Sequence, residues 1–282
     1  MTVLKSRRQV SALKLVLLAL ANIAFGAAGA ASAWEMRVCS DPDYMPFSNR
    51  DLEGLENRIA TILADEMGAE LAYKWWPQVP SMVTDMLREG ECDMIMGVPD
   101  SQKGLLPSLA YYQSPYVFVY RADADYEISS FDDPDLEHLK LGVQSTNDRA
   151  HTALGKRGLN DNVALQFIAR PEDEDGPFAP LVEAVASGEI DVAVPWGPVG
   201  GYYAARQPVE LTVTQAPHFD LPFTPMFISV VIGVRRGDEA LRDRLDIALA
   251  SRWDDVLSVL EEYDVPTIPL ARPIESLESA AP

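Results

Sequence analysis

Apolar positions along this chain alternate between two periods. Met36–Ser40 is a short apolar run ending in Asp41-Pro42 and reads as a buried strand. Leu55, Ile59, Ile62, Leu63 and Met67 fall on one helical face, closed by Gly68. Leu71–Trp75 reads as a second strand and Met82–Leu87 as a second helix, ended by Gly90. Asp93–Val98 is a third strand, apolar on both faces as in a parallel sheet. Two successive strand–helix–strand crossovers predict an α/β unit.

Tyr116–Arg121 is a further strand, followed by an acidic, loop-like stretch from Ala122 to Glu137. The pattern then restarts. Leu139–Val143 reads as a strand, and Ser145, Thr146, Asn147 and Asp148 supply N-cap chemistry for a helix beginning near Arg149. Ala164–Ile168 is a strand, Pro180–Ala186 a helix closed by Gly188, Ile190–Val194 a strand, and Gly200–Arg206 a helix. Met226–Val234 returns as a long apolar strand, with helices at Asp238–Leu249 and Trp253–Tyr263 after it. One α/β unit is thus interrupted by another. The expected division is 34–121 plus 227–282 for the first lobe and 122–226 for the second, joined by two extended crossings. A single large doubly wound sheet is the alternative.

The first 33 residues change the picture of length and charge. Lys5, Arg7, Arg8 and Lys14 precede an apolar run from Leu15 to Ala30, and Ala31-Ser32-Ala33 stands before Trp34. These are the three parts of a secretory signal peptide, expected to end at residue 33. The run is too short and too rich in Ala and Gly to favour a retained anchor, and no later stretch is long enough to span a bilayer. The full chain carries −20. Removing those four basic residues and no acidic one leaves 19 basic against 43 acidic, or −24, on residues 34–282. Such acidity excludes nucleic acid as a partner. It fits solubility, or the steering of a basic partner. The expected compartment is the periplasm.

Several segments carry a family resemblance. MRVCSDPDYMPF at Met36–Phe47 and GEIDVAV at Gly188–Val194 resemble type II periplasmic binding proteins, which are two-lobed α/β clamshells with two hinge strands. Arg37–Asn57, WWPQ at Trp75–Gln78, ECDMIMGVP at Glu91–Pro99 and YYQSPYVFVYR at Tyr111–Arg121 are similar to the quinoprotein-dehydrogenase-associated binding proteins of the MoxJ/XoxJ type. The resemblance implies a partner, a PQQ-dependent methanol or alcohol dehydrogenase with its c-type cytochrome, which the protein would assist or activate. Amino-acid binders of this fold grip the ligand carboxylate with an Arg after the third strand and its ammonium with an acid after the second-lobe strand. Here Val98–Tyr120 holds no Arg and only Lys103, and the second position reads Pro195-Trp196-Gly197. A free amino acid would leave its charges unpaired.

Ligands of open α/β sheets meet the carboxyl ends of the strands. That rule selects Asp41–Phe47, Trp76, and Val98, Pro99 and Asp100, then Ser145, Thr146, Asn147, Trp196 and Gly197, with Tyr111, Tyr112 and Tyr116 at the mouth. The set is aromatic and apolar, suited to a small apolar ligand or a partner segment with apolar anchors. Trp75 and Trp76 point to opposite faces if both lie on a strand. Ser145–Asn147 is as readily a simple helix cap as an anion site.

Cys39 and Cys92 are the only cysteines. The sheet order of the family sets their strands side by side. With Asp41 level with Gly97, Cys92 lies three residues below Cys39, roughly 10 Å at strand rise. A disulfide spans about 7 Å between Cα atoms, and a two-residue slip in register leaves both the paired and the free state open. There is no C-x-x-C-H, so c-type haem is excluded. His138, His151 and His218 lack metal-ligand spacing, and no nucleophile elbow, phosphate loop or dinucleotide fingerprint is present. The expectation is a non-enzymatic accessory binding protein without a cofactor. The alternatives are a transporter's solute-binding component and a dehydratase-like enzyme on the same fold.

Overall fold

The computed structural model describes residues 34–76, 80–145, 148–166, 177–220 and 222–273. The signal segment and Thr146 and Asn147 lie outside the described residues. Strand β1 (Trp34–Ser40) leads into a small hairpin of β2 (Asp43–Tyr44) and β3 (Ser48–Asn49). Helix α1 (Leu55–Met67) occupies the expected span and ends at Gly68. Its first turn is closed by Asn57, whose side-chain oxygen accepts the backbone N–H groups of Gly54 and Asn49. Next come β4 (Ala69–Trp75), α2 (Pro80–Glu89), β5 (Met94–Pro99), the short β6 (Leu106–Pro107), β7 (Tyr112–Pro115) and β8 (Val117–Arg121). The second unit runs through β9 (Leu141–Val143), α3 (Arg149–Gly155), β10 (Val163–Gln166), α4 (Ala179–Ser187), β11 (Val192–Val194), α5 (Gly197–Ala204) and β12 (Leu211–Gln215). A hairpin of β13 (Phe219–Asp220) and β14 (Thr224–Pro225) precedes β15 (Phe227–Val234), α6 (Glu239–Ser251) and α7 (Trp253–Glu262).

These strands form two principal sheets. The first has the order β4-β1-β5-β15-β6, with β7 also on β15, and the second β10-β9-β11-β8-β12. Both are mixed. β1 and β5 are parallel, as are β9, β10 and β11, whereas β15 in one sheet runs antiparallel to β5 and β8 in the other runs antiparallel to both its neighbours, β11 and β12. Val117–Arg121, assigned by the pattern to the first unit, pairs with β11 and β12 of the second. The chain passes from the first sheet to the second at Tyr116, between Pro115, which pairs with Phe227 of β15, and Val117, which pairs with Gln215 of β12. Among the described residues no helix is long and apolar enough to cross a membrane.

One sequence expectation is extended and another corrected. The acidic stretch 122–137 has only a short 3₁₀ turn (Pro134–Glu137), but it is not merely a surface loop. Ile128, Phe131 and Leu136 are fully or almost fully buried, and they close the second core with Phe118, Leu141, Val143, Val192 and Val194. The second concerns distance along β5. The register is Cys39 opposite Ile95, which places Asp41 level with Gly97 as expected. Yet Cys39 and Cys92 form a disulfide with Cα atoms 5.5 Å apart. β5 begins only at Met94. Asp93 is drawn back onto Arg37 through a two-pronged ion pair (2.7 and 3.1 Å) and a bond from the Arg37 N–H (2.9 Å). The chain therefore bends before the strand and tucks Cys92 under Cys39.

Candidate functional site

The loop after β1 and the turn after β11 bring aromatic side chains from both sheets together. Phe47 is 3% exposed and stacks on Trp196 with ring centroids 5.5 Å apart and planes 16° from parallel. Tyr112 of β7 stacks on the same indole at 6.2 Å. Phe178, just before α4, meets Tyr44 and Phe47 edge-on at 5.1 and 6.2 Å. Tyr44 also lies against Phe47 at 5.3 Å. Offset and edge-to-face pairs of this kind add about 0.5–1.5 kcal/mol each beyond the area they bury.

Trp196 is fixed from three sides. Its backbone N–H donates to Gln144 Oε1 (2.6 Å), its indole Nε1–H donates to the Ser114 carbonyl (2.9 Å), and Tyr116 forms a β-bridge with it. It opens α5, whose first residue, Gly197, lies against Ser114 and Pro115 of the first sheet. Tyr203 of the same helix donates its hydroxyl to the Met45 carbonyl (3.0 Å). The Met45–Pro46 peptide is cis.

Beneath the rings lies a buried polar layer. Asp41 caps the end of β1, accepting the Asp43 N–H at 2.9 Å, and is 7% exposed. Glu56, in the first turn of α1, is 5% exposed, and its carboxyl rests directly on Gly97 of β5. Burial, reinforced by the Asp41 charge, pushes the Glu56 carboxyl up to about 8. The phenols of Tyr44, Tyr111 and Tyr112 are raised, first by burial and then by neighbouring groups including Glu56. Tyr111 accepts the Gly97 N–H (3.1 Å), while the Tyr112 hydroxyl is buried without a hydrogen-bond partner among the described residues.

Of the positions selected from sequence, the structure gathers Phe47, Tyr112, Trp196 and Gly197 in one place, with Asp41 at its floor. Val98 instead packs into the core around the disulfide, and Pro99 pairs with Val230 of β15. Tyr116 belongs to the core of the second sheet. Ser145 is half-buried ahead of α3, where Asp148 and not Ser145 caps the helix, accepting the His151 N–H at 2.7 Å. Trp76 is 44% exposed and lines a separate cavity of about 530 Å³ with Lys74, Trp75, Asp85, Met86 and Glu89. Trp75 is the inner partner of that pair, stacked on Tyr73 at 4.8 Å. Tyr44 lies inside the selected run Asp41–Phe47. Sequence reasoning missed Glu56, Phe178 and Gln144. Phe178 follows an acidic turn and gave no signal.

Residues 36–261 match the bacterial extracellular solute-binding proteins, family 3, and the chain belongs to that family. Its relatives narrow the type. It is 30% identical to the protein MoxJ of Methylorubrum extorquens over 85% of this chain and 83% of that one. It is 29% identical to MoxJ of Paracoccus denitrificans over 88% and 95%. Among solved structures it is similar to MxaJ from Methlophaga aminisulfidivorans MPT, with TM-score 0.75 and 27% identity over 83% of this chain and all of that one. The periplasmic binding protein XoxJ from Methylobacterium extorquens AM1 follows with TM-score 0.67 and 30% identity, at the same coverage.

Proposed function

We propose that this chain is a periplasmic accessory protein that assists or activates a PQQ-dependent methanol or alcohol dehydrogenase, and that the aromatic cleft is where it receives an apolar segment of that partner or a small apolar ligand. The observation that carries this reading is the cross-sheet stack of Phe47, Tyr112 and Trp196 in the place where solute binders of this fold hold charged ligands. A stacked aromatic surface recognises apolar anchors and offers nothing to a zwitterion. The kinship with MoxJ, MxaJ and XoxJ supports the same reading. In the resting arrangement the rings cover one another, so occupancy requires Phe47 and Trp196 to part and shifts the population toward the parted form.

The test is a pull-down from the periplasm of the source strain with the tagged protein, paired with alcohol oxidation in a deletion strain. Recovery of the dehydrogenase and a loss of activity on deletion are expected. A Trp196→Ala variant should restore activity at least tenfold less well than the wild type. No dehydrogenase recovered and unchanged activity would overturn the proposal. Family membership itself favours a second reading, a transporter's solute-binding component. A thermal-shift screen of small acids, amines and alcohols separates the two, since a tight solute raises the melting temperature by mass action.

A further inference from the structure

Two adjacent phenols at the cleft are treated differently. Tyr111 is fully buried, and its hydroxyl takes the Gly97 N–H at 3.1 Å. Tyr112 is 2% exposed, and its hydroxyl has no hydrogen-bond partner among the described residues. A buried hydroxyl without a partner works against the fold, and phenylalanine would fill the same space without that penalty. The ring that carries this oxygen belongs to the aromatic wall, stacked on Trp196 with planes 17° from parallel. The unmatched group therefore stands among the cleft rings, where a ligand can meet it once the stack opens. The two rings of that stack are not equally held. Trp196 is tied down at its backbone N–H and at its indole N–H. The Phe47 ring has no polar atom and rests against Tyr44, Phe178 and Trp196.

We propose that Tyr112 is the polar anchor of the cleft, and that the ligand is a small uncharged molecule whose apolar body carries one hydroxyl or carbonyl, bonded to the Tyr112 hydroxyl. This rests on the reading of the cleft as a ligand site and narrows the ligand's class. Its size follows from the stack. Phe47 is the ring that yields, and it vacates about the volume of one phenyl group, which suits a small molecule better than a chain that must run on to a partner. Its lack of charge follows from the floor. The groups that act most on Glu56 and Tyr112 are Asp41, Tyr44, Tyr111 and Glu56 itself, none of them basic, so an anion finds no counter-charge. A cation finds little more. Burial keeps the Glu56 carboxyl protonated at pH 7, and Asp41 is engaged in its own turn with the Asp43 N–H. A phenol both donates and accepts, so it serves an alcohol or a carbonyl alike.

The experiment titrates the chain from residue 34 on, wild type and Tyr112→Phe, with four probes of one size at pH 7: benzyl alcohol, toluene, benzylamine and benzoate. Binding is read from the nuclear magnetic resonance of the Trp196 indole N–H, which reports this site alone. Benzyl alcohol should bind the wild type most tightly. Tyr112→Phe should weaken it about three- to tenfold and leave toluene unchanged. Without ligand, the variant should melt at or above the temperature of the wild type. Benzyl alcohol bound equally by both proteins, or toluene weakened as much as the alcohol, overturns the anchor and leaves the cleft a ligand site. Tighter binding of benzylamine or benzoate overturns the uncharged class. A lower melting temperature with unchanged binding means that the hydroxyl holds a structural water, and also overturns the proposal. So does the absence of any shift with all four probes, in which case the pull-down still decides the dehydrogenase reading by itself.

Discussion

Glu56 shows how a single side chain is tied to the backbone beneath it. Its carboxyl occupies the space that a Cβ at position 97 would fill, 1.6 Å from Oε1, and Gly97 takes φ +69. Only glycine meets both demands. The folded chain holds the Glu56 proton up to about pH 8, against 4.5 for an ordinary glutamate. Asp41, Tyr44, Tyr73, Tyr111 and Tyr112 are titratable groups around it. Between those values the folded state binds more protons than the unfolded one, so this stability is intact below about pH 4.5 and lost as pH rises toward 8. The slope from this one group is at most about 1.4 kcal/mol per pH unit. Glu56→Gln should flatten it and make the variant the more stable form at pH 8, read by urea unfolding at pH 5 to 8. Equal slopes in both proteins would contradict the assignment. The partners of this residue were not legible in the sequence. Glu56 looked like an ordinary acid at a helix start, and nothing local marked it as buried.

At the scale of elements, the apolar periods located the helices and buried strands well. α1 was legible to the residue because its stripe and terminal glycine agree. What escaped were pieces whose order depends on distant partners. β12 is held by β8, β7 by β15, and the buried residues of 122–137 by the second sheet. The disulfide is the clearest case. The pairing register was readable, but the bend that Arg37 imposes on Asp93 was not. Because the cysteines are 53 residues apart, the bond removes loop entropy worth about 4 kcal/mol. Cys39→Ser with Cys92→Ser should lower the melting temperature by roughly 10 °C. A calorimetric scan showing a change under 2 °C would argue that the bond contributes little.

At the scale of the whole molecule, the two sheets are joined by more than their two crossings. After α7 the chain runs back across the junction. Ile268 donates to the Gln113 carbonyl (2.9 Å), and the Pro266 carbonyl accepts from Ser114 Oγ (2.5 Å). Asp264 pairs with Arg206, and Tyr263 stacks on Tyr202 at 5.7 Å. α5 comes so close that a Cβ at Gly201 would lie 1.8 Å from the Asp264 carbonyl oxygen. Gly201→Ala must push the two backbones apart and should cost about 1–3 kcal/mol. Hydrogen exchange checks it: the Ile268 amide should lose protection, and unchanged protection would mean that the segment does not depend on α5. In the sequence this third tie looked like a plain tail after the last helix, since a strap has no periodicity of its own.

The place of β15 sets an order of assembly. It is the strand that β5, β6 and β7 all pair with, yet it comes last along the chain of the fifteen strands among the described residues. The second sheet has all its strands once residue 215 exists, whereas the first must wait for residue 234. For that interval β5 is an open edge, the state most exposed to wrong pairing. Cys39 and Cys92 both precede it, so their bond can join β1 to the start of β5 while that edge is still bare. Formed once the chain reaches an oxidising compartment, the crosslink would tie β1 to the start of β5 until β15, the strand between β5 and β6, joins them.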